Sequence, residues 1–419
     1  MRYPAALTLL LLHALAAPAL AEGPQPPAGA LRVFLDCGAC DEDFLRAELT
    51  FVDYVRDREA ADVHVLVSTE STGGGGSMYA LRFLGRGRFE GIEQVLHARS
   101  AQTDTLDTRR RGLVRVLALG LVRYVAETPL AEYLTVDFEV PRAEAQVAPE
   151  DPWNFWVFKV GFSGRLSGET SGALTSLSGN ISGNRTTESW KLLLSLTGDY
   201  NEQRFEFNEG ESFTTATHTL GASALLARSV SRHWSLGLTT HASSSTFLNY
   251  RLRLRAGPGI EYNVFPYEQS TERLLTLFYT VGVQSLAYRE ETLFGRISER
   301  LLDHRLNSTL ALQQPWGTAS ASLEFAQFLT RLDKYRLTGQ INLEMRLFKG
   351  LLMNVAGRVV RRRDQLNLPR GAATDEQILV RQRELATDYE YELNLGFSYA
   401  FGSIFNNVVN SRLRGADGF

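Results

Sequence analysis

Along the 419-residue chain the spacing of apolar side chains changes once, near Trp153. Before that point short apolar runs alternate with helical periodicity. Residues 31–36 predict a strand, and 41–56 a helix, with Phe44, Leu45, Leu49, Val52 and Val55 on one face. Further strands are predicted over 61–69, 78–84 and 93–98, with Gly73 to Gly76 as a turn. A second helix over 105–124 repeats Leu106, Leu113, Val116, Leu117, Leu121 and Tyr124 at helical spacing. The predicted unit is α+β, in the order β-α-β-β-β-α.

After Trp153 the period falls to two. In 335–347, Tyr335, Leu337, Gly339, Ile341, Leu343, Met345 and Leu347 alternate with Arg336, Thr338, Gln340, Asn342, Glu344 and Arg346. Twelve such segments are predicted: 153–166, 171–184, 189–202, 213–228, 232–246, 248–264, 272–288, 302–314, 317–330, 335–348, 351–365 and 388–401. Strands of soluble sandwiches average about 5–6 residues, whereas a tilted strand needs about 9–11 to cross a bilayer. Length and an even count therefore predict an all-β antiparallel transmembrane barrel of about 12 strands behind the α+β domain. With that domain on the periplasmic side, short connections such as 185–188, 315–316 and 349–350 become periplasmic turns. The longer stretches 203–212, 289–301 and 366–387 become outer loops. Trp153, Trp156, Trp190, Trp234 and Trp316 all fall at the turn side, as an interfacial aromatic girdle would.

The N-terminus adds a compartment. Arg2, an apolar run to Ala17 and the small residues Ala19 and Ala21 read as a signal peptide over 1–21. The predicted divisions are then a leader over 22–30, a periplasmic domain over 31–127, a linker over 128–152, a barrel over 153–401 and a periplasmic tail over 402–419. Lys plus Arg total 44 against 47 for Asp plus Glu, so no broad basic surface invites nucleic acid. Outer-membrane lipid is the predicted surrounding, and residues 31–127 could meet a periplasmic protein.

Candidate chemistry is sparse. Cys37 and Cys40 are the two cysteines of the chain; a local disulfide is the first reading, a redox pair the second. The Gly73 to Gly76 run lacks the Lys-Ser/Thr of a phosphate loop. Neither a metal site nor a cofactor site is expected. With the apolar parity toward lipid, the lumen collects Lys159, Arg165, Lys191, Asp199, Arg251, Arg253, Arg255, Glu261, Asp303, Arg305, Arg336, Glu344, Arg346, Arg358, Glu390 and Glu392. Such a mixed set predicts a salt-bridged plug. The row Arg251, Arg253, Arg255 offers the alternative of an anion path. His218, His233, His241 and His304 show no spacing that selects a nucleophile and base, so no catalytic residue is named.

Two resemblances bear on these expectations. The order of elements in 31–127 resembles the amino-terminal domain of the TolB family of periplasmic proteins, at the level of fold. Asn394-Leu395-Gly396-Phe397-Ser398-Tyr399-Ala400-Phe401 resembles the β-signal of Gram-negative outer-membrane proteins, polar-x-Gly-x-x-aromatic-x-aromatic. That resemblance implies recognition by the barrel-assembly machinery through Asn394, Gly396, Tyr399 and Phe401. Three functions follow in order: a structural or adaptor barrel with a charged, salt-bridged lumen; an anion-admitting channel or transporter of small acidic solutes; and a barrel enzyme such as a phospholipase.

Overall fold

The computed structural model describes residues 27–135, 151–206, 212–371, 384–403 and 407. The expected signal segment, part of the linker and most of the tail lie outside these residues.

The N-terminal domain comprises β1 (Leu31–Asp36), α1 (Glu42–Glu48), β2 (Val52–Tyr54), β3 (Val63–Ser71), β4 (Ser77–Gly85), β5 (Glu93–Ser100) and α2 (Leu106–Val125). Its sheet has the order β2-β1-β3-β4-β5, with β1 parallel to both neighbours and the other pairs antiparallel. Both helices start at side-chain caps, Asp41 accepting from the Phe44 N–H and Thr105 from the Thr108 N–H. Val33, Val63, Val65 and Phe83 from the sheet pack in one buried core with Leu117, Leu121 and Tyr124 from α2. Gly120 permits that approach, since a Cβ there would lie 2.0 Å from Phe83 Cζ.

One prediction for this domain is corrected. The helix expected over 41–56 stops at Glu48, and Val52–Tyr54 form a strand. Val52, Asp53 and Tyr54 are buried in succession, which one helical stripe cannot achieve. Pairing Leu31 with Val52 in a parallel ladder satisfies their backbone instead. The order is therefore β-α-β-β-β-β-α.

The remainder is a sheet of twelve long strands, β6 (Trp156–Glu169), β7 (Gly172–Thr186), β8 (Trp190–Glu206), β9 (Ser212–Ser229), β10 (Trp234–Ser245), β11 (Tyr250–Asn263), β12 (Arg273–Tyr288), β13 (Ser298–Gln314), β14 (Gly317–Phe328), β15 (Arg331–Phe348), β16 (Leu351–Arg362) and β17 (Tyr389–Tyr399). Each pairs antiparallel with its sequence neighbours, in unbroken order from β6 to β17. The expected closure is not made: β6 and β17 are the two edges of an open sheet, not partners. The asymmetry of connections is also narrower than predicted. Away from the N-terminal domain, residues 170–171 and 329–330 are tight hairpins, and the long loops are those that follow β12 and β16.

The two faces of this sheet differ in kind. One carries Phe158, Val160 and Phe162 of β6, Leu236 and Leu238 of β10, Val281 and Val283 of β12, and Tyr391, Leu393, Leu395 and Phe397 of β17, all exposed. The other carries Ser, Thr, Asn, Asp and Arg, and there Arg255, Gln284 and Asp303 are buried. This inverts a soluble sheet, whose apolar side is the covered one. Trp190 and Trp234, at the starts of β8 and β10, and Trp153, just ahead of β6, are exposed at the same end.

The N-terminal domain sits at that end. Asp36 and Asp57 pair with Arg346 and Lys349, Arg82 pairs with Glu272, and Arg58 donates to the Pro315 carbonyl. Its β3–β4 turn reaches β7: a Cβ on Gly73 would lie 2.6 Å from Thr186 Cβ. On its far side Arg56 donates to the Phe401 carbonyl and the Tyr54 N–H to Asn407. The domain thus spans the turn end from the second strand to the residues after the last.

Candidate functional site

The polar face holds charges at three levels. At mid-strand, β11, β12 and β13 bring Arg255, Thr280, Gln284, Asp303 and Arg305 together because the alternate residues of adjacent strands share a face. Arg255 Nε donates to both Asp303 oxygens at 3.1 and 2.9 Å, and its terminal nitrogens donate to Thr239 and Thr280. Asp303 also accepts from Gln284 Nε2 at 2.7 Å and Arg305 Nε at 3.2 Å. Asp303 is 2% exposed, and each of these bonds offsets the cost of removing its charge from water. Gly282 leaves the space: a Cβ there would come within 2.9 Å of both Arg255 Cζ and Asp303 Oδ1. Arg253 completes the cluster by donating to Gln284 Oε1. Arg255 and Arg305 bond Asp303, Arg253 joins through Gln284, and Glu324 of β14 lies near Arg305, so three guanidinium groups meet two carboxylates here.

The predicted row of three arginines is interrupted. A bulge between Tyr250 and Leu252 shifts the β11 register against β12, and it leaves Arg251 exposed while Arg253 and Arg255 point into the polar face. Period-two reading cannot anticipate a bulge. Of the acidic residues placed opposite the row, Asp303 reaches it. Glu261 instead accepts from the Tyr267 hydroxyl, and Glu344 lines a cavity near the turn end.

At the loop end, residues 364–371 fold over the sheet. Leu366 joins Tyr250, Leu286, Tyr288, Leu301 and Phe328 in a buried cluster. Asn367 donates to the Leu248 carbonyl and to Glu384, its own carbonyl accepts from Asn249 Nδ2, and Thr292 bridges to Pro369. Arg362 pairs with Glu384, and Arg336 with Asp364. The sequence gives no periodic signal for this packing, since it depends on a loop whose partners are scattered along the chain, from Phe328 back to Leu248.

At the turn end, Asp36 accepts from both terminal nitrogens of Arg346 at 2.7 Å. Behind it lies His64, fully buried, with Nε2 3.4 Å from Asp36 Oδ2 and Nδ1 without a partner among the described residues. Burial pushes the Asp36 carboxyl up, but the His64 and Arg346 hydrogen bonds outweigh it and hold the group below its ordinary value. Burial holds His64 below its ordinary value, the Asp36 contact opposing. Neither residue was singled out by sequence, because nothing local marks a side chain whose partner lies in another domain. Beside this contact, Glu70, Glu272, Asn342, Glu344, Asn354 and Asn394 line a cavity of about 900 Å³ between the domain and the polar face.

The other sequence candidates are dispersed. Cys37 and Cys40 form a disulfide between β1 and α1. Asn394 and Gly396 lie on the polar face of β17 opposite Ala356 and Asn354. Tyr399 and Phe401 stack with ring centroids 5.6 Å apart, both exposed. Arg358 pairs with Glu390. The histidines do not converge: His218 contacts Arg289, His233 the Asn263 carbonyl, and His304 Tyr279 and Gln327. Among the described residues no group of three His, Cys, Asp or Glu is arranged to hold a metal ion.

No family model and no curated protein matches this chain. Among solved structures it is similar to the NanC porin in its rhombohedral crystal form. That likeness has 10% identity over 58% of this chain and 99% of the porin, with a TM-score of 0.29. So low a score adds nothing to what the strands themselves display.

Proposed function

We propose that the chain is an integral outer-membrane β-barrel protein whose N-terminal domain covers the periplasmic mouth and whose lumen is filled by ion-paired side chains, in a structural or adaptor role. The observation that carries this reading is the exposed apolar face running across all twelve strands. In water it would be an aggregation surface far larger than the few hundred Å² that monomers tolerate. Against lipid it is the favoured side, and each charge placed there near the midplane would cost about 2–4 kcal/mol. The strands exceed the length needed to cross, and the polar face gathers the charges.

The adaptor role rests on occlusion at three levels: the domain at the turn end, Arg255–Asp303 at mid-height and residues 364–371 at the loop end. The test is fractionation, heat-modifiable gel migration and conductance of the purified full chain in planar bilayers. Outer-membrane recovery with heat-modifiable migration and negligible conductance is expected; recovery of soluble protein would end the membrane reading. One observation favours the second reading, passage of small anions. Arg253, Arg255 and Arg305 outnumber Asp303 and Glu324 by one, and steady anion-selective conductance would replace the adaptor role with it.

A further inference from the structure

The sheet's two edges differ in charge in a complementary way. On the polar face β6 presents Lys159 and Arg165, neither with an ion pair among the described residues. On β17, Glu390 is engaged by Arg358 and Arg362, whereas Glu392, across the ladder from Arg358, has a contact from Asn394 and, among the described residues, no ion pair. The opposite face carries Phe158, Val160, Phe162 and Leu166 on β6 and an unbroken apolar row on β17, and the N-terminal domain touches β7 on one side and Phe401 and Asn407 on the other.

We propose that in the bilayer β17 pairs antiparallel with β6 in one register, with Glu392 opposite Arg165 and Leu395 opposite Phe162. This rests on the membrane reading above and adds the partner of each edge. Parity decides part of it: polar positions are odd on β6 and even on β17, so only slips of two residues keep both faces intact. Charge decides the rest. A slip one way sets Arg165 against the already paired Glu390 and leaves Glu392 facing Ser163. The opposite slip sets Glu390 against Glu169, like charge on like.

The proposed register also puts Ser163 opposite Asn394, and Phe158, Val160 and Leu166 opposite Tyr399, Phe397 and Tyr391. Geometry agrees. A path perpendicular to the strands, followed through the observed registers back from Asn394, meets the line of β6 about fourteen residues below Ser163. With that stagger twelve strands tilt about 39° from the axis, inside the roughly 35–45° found in such barrels; slips of two stay within the same range, so geometry supports closure and charge selects the register.

Cysteine pairing in the full-length protein tests the register. Phe162→Cys is combined in turn with Leu393→Cys, Leu395→Cys or Phe397→Cys; Leu393 precedes the expected assembly signal, and Leu395 and Phe397 occupy its variable positions, leaving Asn394, Gly396, Tyr399 and Phe401 intact. Directly opposed Cβ atoms lie about 4.5–5.5 Å apart and diagonal ones about 7–8 Å, while a disulfide needs about 3.8 Å. After oxidation in outer-membrane fractions, F162C/L395C should cross-link within one chain, read on boiled gels as a monomer of shifted mobility that reductant returns to the normal position. The other two pairs should not. Cross-linking of F162C/L393C or F162C/F397C instead would overturn the register, and a dimer band would assign each edge to a second copy. Membrane-inserted protein with no cross-link in any pair would overturn closure alone, whereas soluble protein would overturn the membrane reading first. Should the cysteine variants fail to accumulate, charge exchange gives the same decision. R165E should lose heat-modifiable migration and R165E/E392R regain it, and failure of the exchange to restore it would count against the pair.

Discussion

Asp36 and Arg346, separated by 310 positions in sequence, form a two-pronged ion pair that fastens the end of β1 to the end of β15. Both side chains are largely shielded, so the pair is stronger than an exposed surface bridge. Replacing Arg346 with Ala leaves Asp36 and His64 without their outer partner. Loss of about 1–3 kcal/mol of docking stability is expected, read as faster proteolysis of the N-terminal domain with unchanged heat-modifiability of the sheet.

Acid should loosen the same contact. His64 has a folded value below its ordinary 6.5, so the unfolded chain binds more protons and stability rises with pH. Its contribution is complete above about 6.5 and is lost as pH falls below that value. Asp36, also lowered, adds a further loss in the range below its ordinary 3.8. Melting of the N-terminal domain measured from neutral to acid pH should therefore fall steadily, and His64→Phe should flatten the upper part of that slope. An unaltered slope in the variant would show that His64 does not titrate on unfolding.

The Arg255–Asp303 pair gives a test of occlusion. Asp303→Asn leaves three guanidinium groups clustered without their carboxylate, and a loss of about 3–5 kcal/mol is expected from breaking so buried a pair. Arg253→Gln with Arg305→Gln keeps the Arg255–Asp303 pair but removes the Arg305 bond to Asp303, and it should still fold, with a smaller loss than Asp303→Asn. If anions pass, that double variant loses anion preference, visible as a shifted reversal potential; if the lumen is plugged, conductance stays negligible in both proteins.

Tyr399→Ala with Phe401→Ala should lower the level of folded barrel several-fold, since the stacked rings belong to the expected assembly signal and, on the proposed membrane reading, to a lipid-facing belt. Mild, unboiled gel migration of membrane fractions measures it. Wild-type amounts of folded double mutant would remove both residues from the signal.

Gly120 predicts an overpacking cost. With Phe83 Cζ 2.0 Å from the place of a Cβ, Gly120→Ala must push α2 off the sheet, and about 1–3 kcal/mol should be lost from the N-terminal domain. Thermal unfolding followed by helical circular dichroism would register the change; an unshifted transition would mean that the ring simply turns aside.

On the proposed membrane reading the strand pattern was legible because a bilayer would enforce it: when each misplaced charge is costly, parity survives in the sequence, and β15 reads correctly from Tyr335 to Leu347. What failed was whatever parity does not encode. The bulge at Arg251 changes the face of one side chain without altering composition, and β2 is too short for its period to be seen against the helix before it. The packing of Leu366 and Asn367 and the Asp36–Arg346 contact are long-range, with no local pattern to announce them. Cys37 and Cys40, by contrast, lie three residues apart, and their geometry could be posed as a question from spacing alone.

Gly73 against Thr186 and Tyr54 beside Asn407 have a kinetic consequence. If the two edges pair as proposed, strands at opposite ends of the sheet must otherwise find each other by diffusion of a loop of more than two hundred residues, whose closure entropy grows with the logarithm of its length. A folded domain that grips both ends acts as a jig, converting that search into a short one. Chains lacking 31–127 should insert their strands as before but spend longer with open, aggregation-exposed edges.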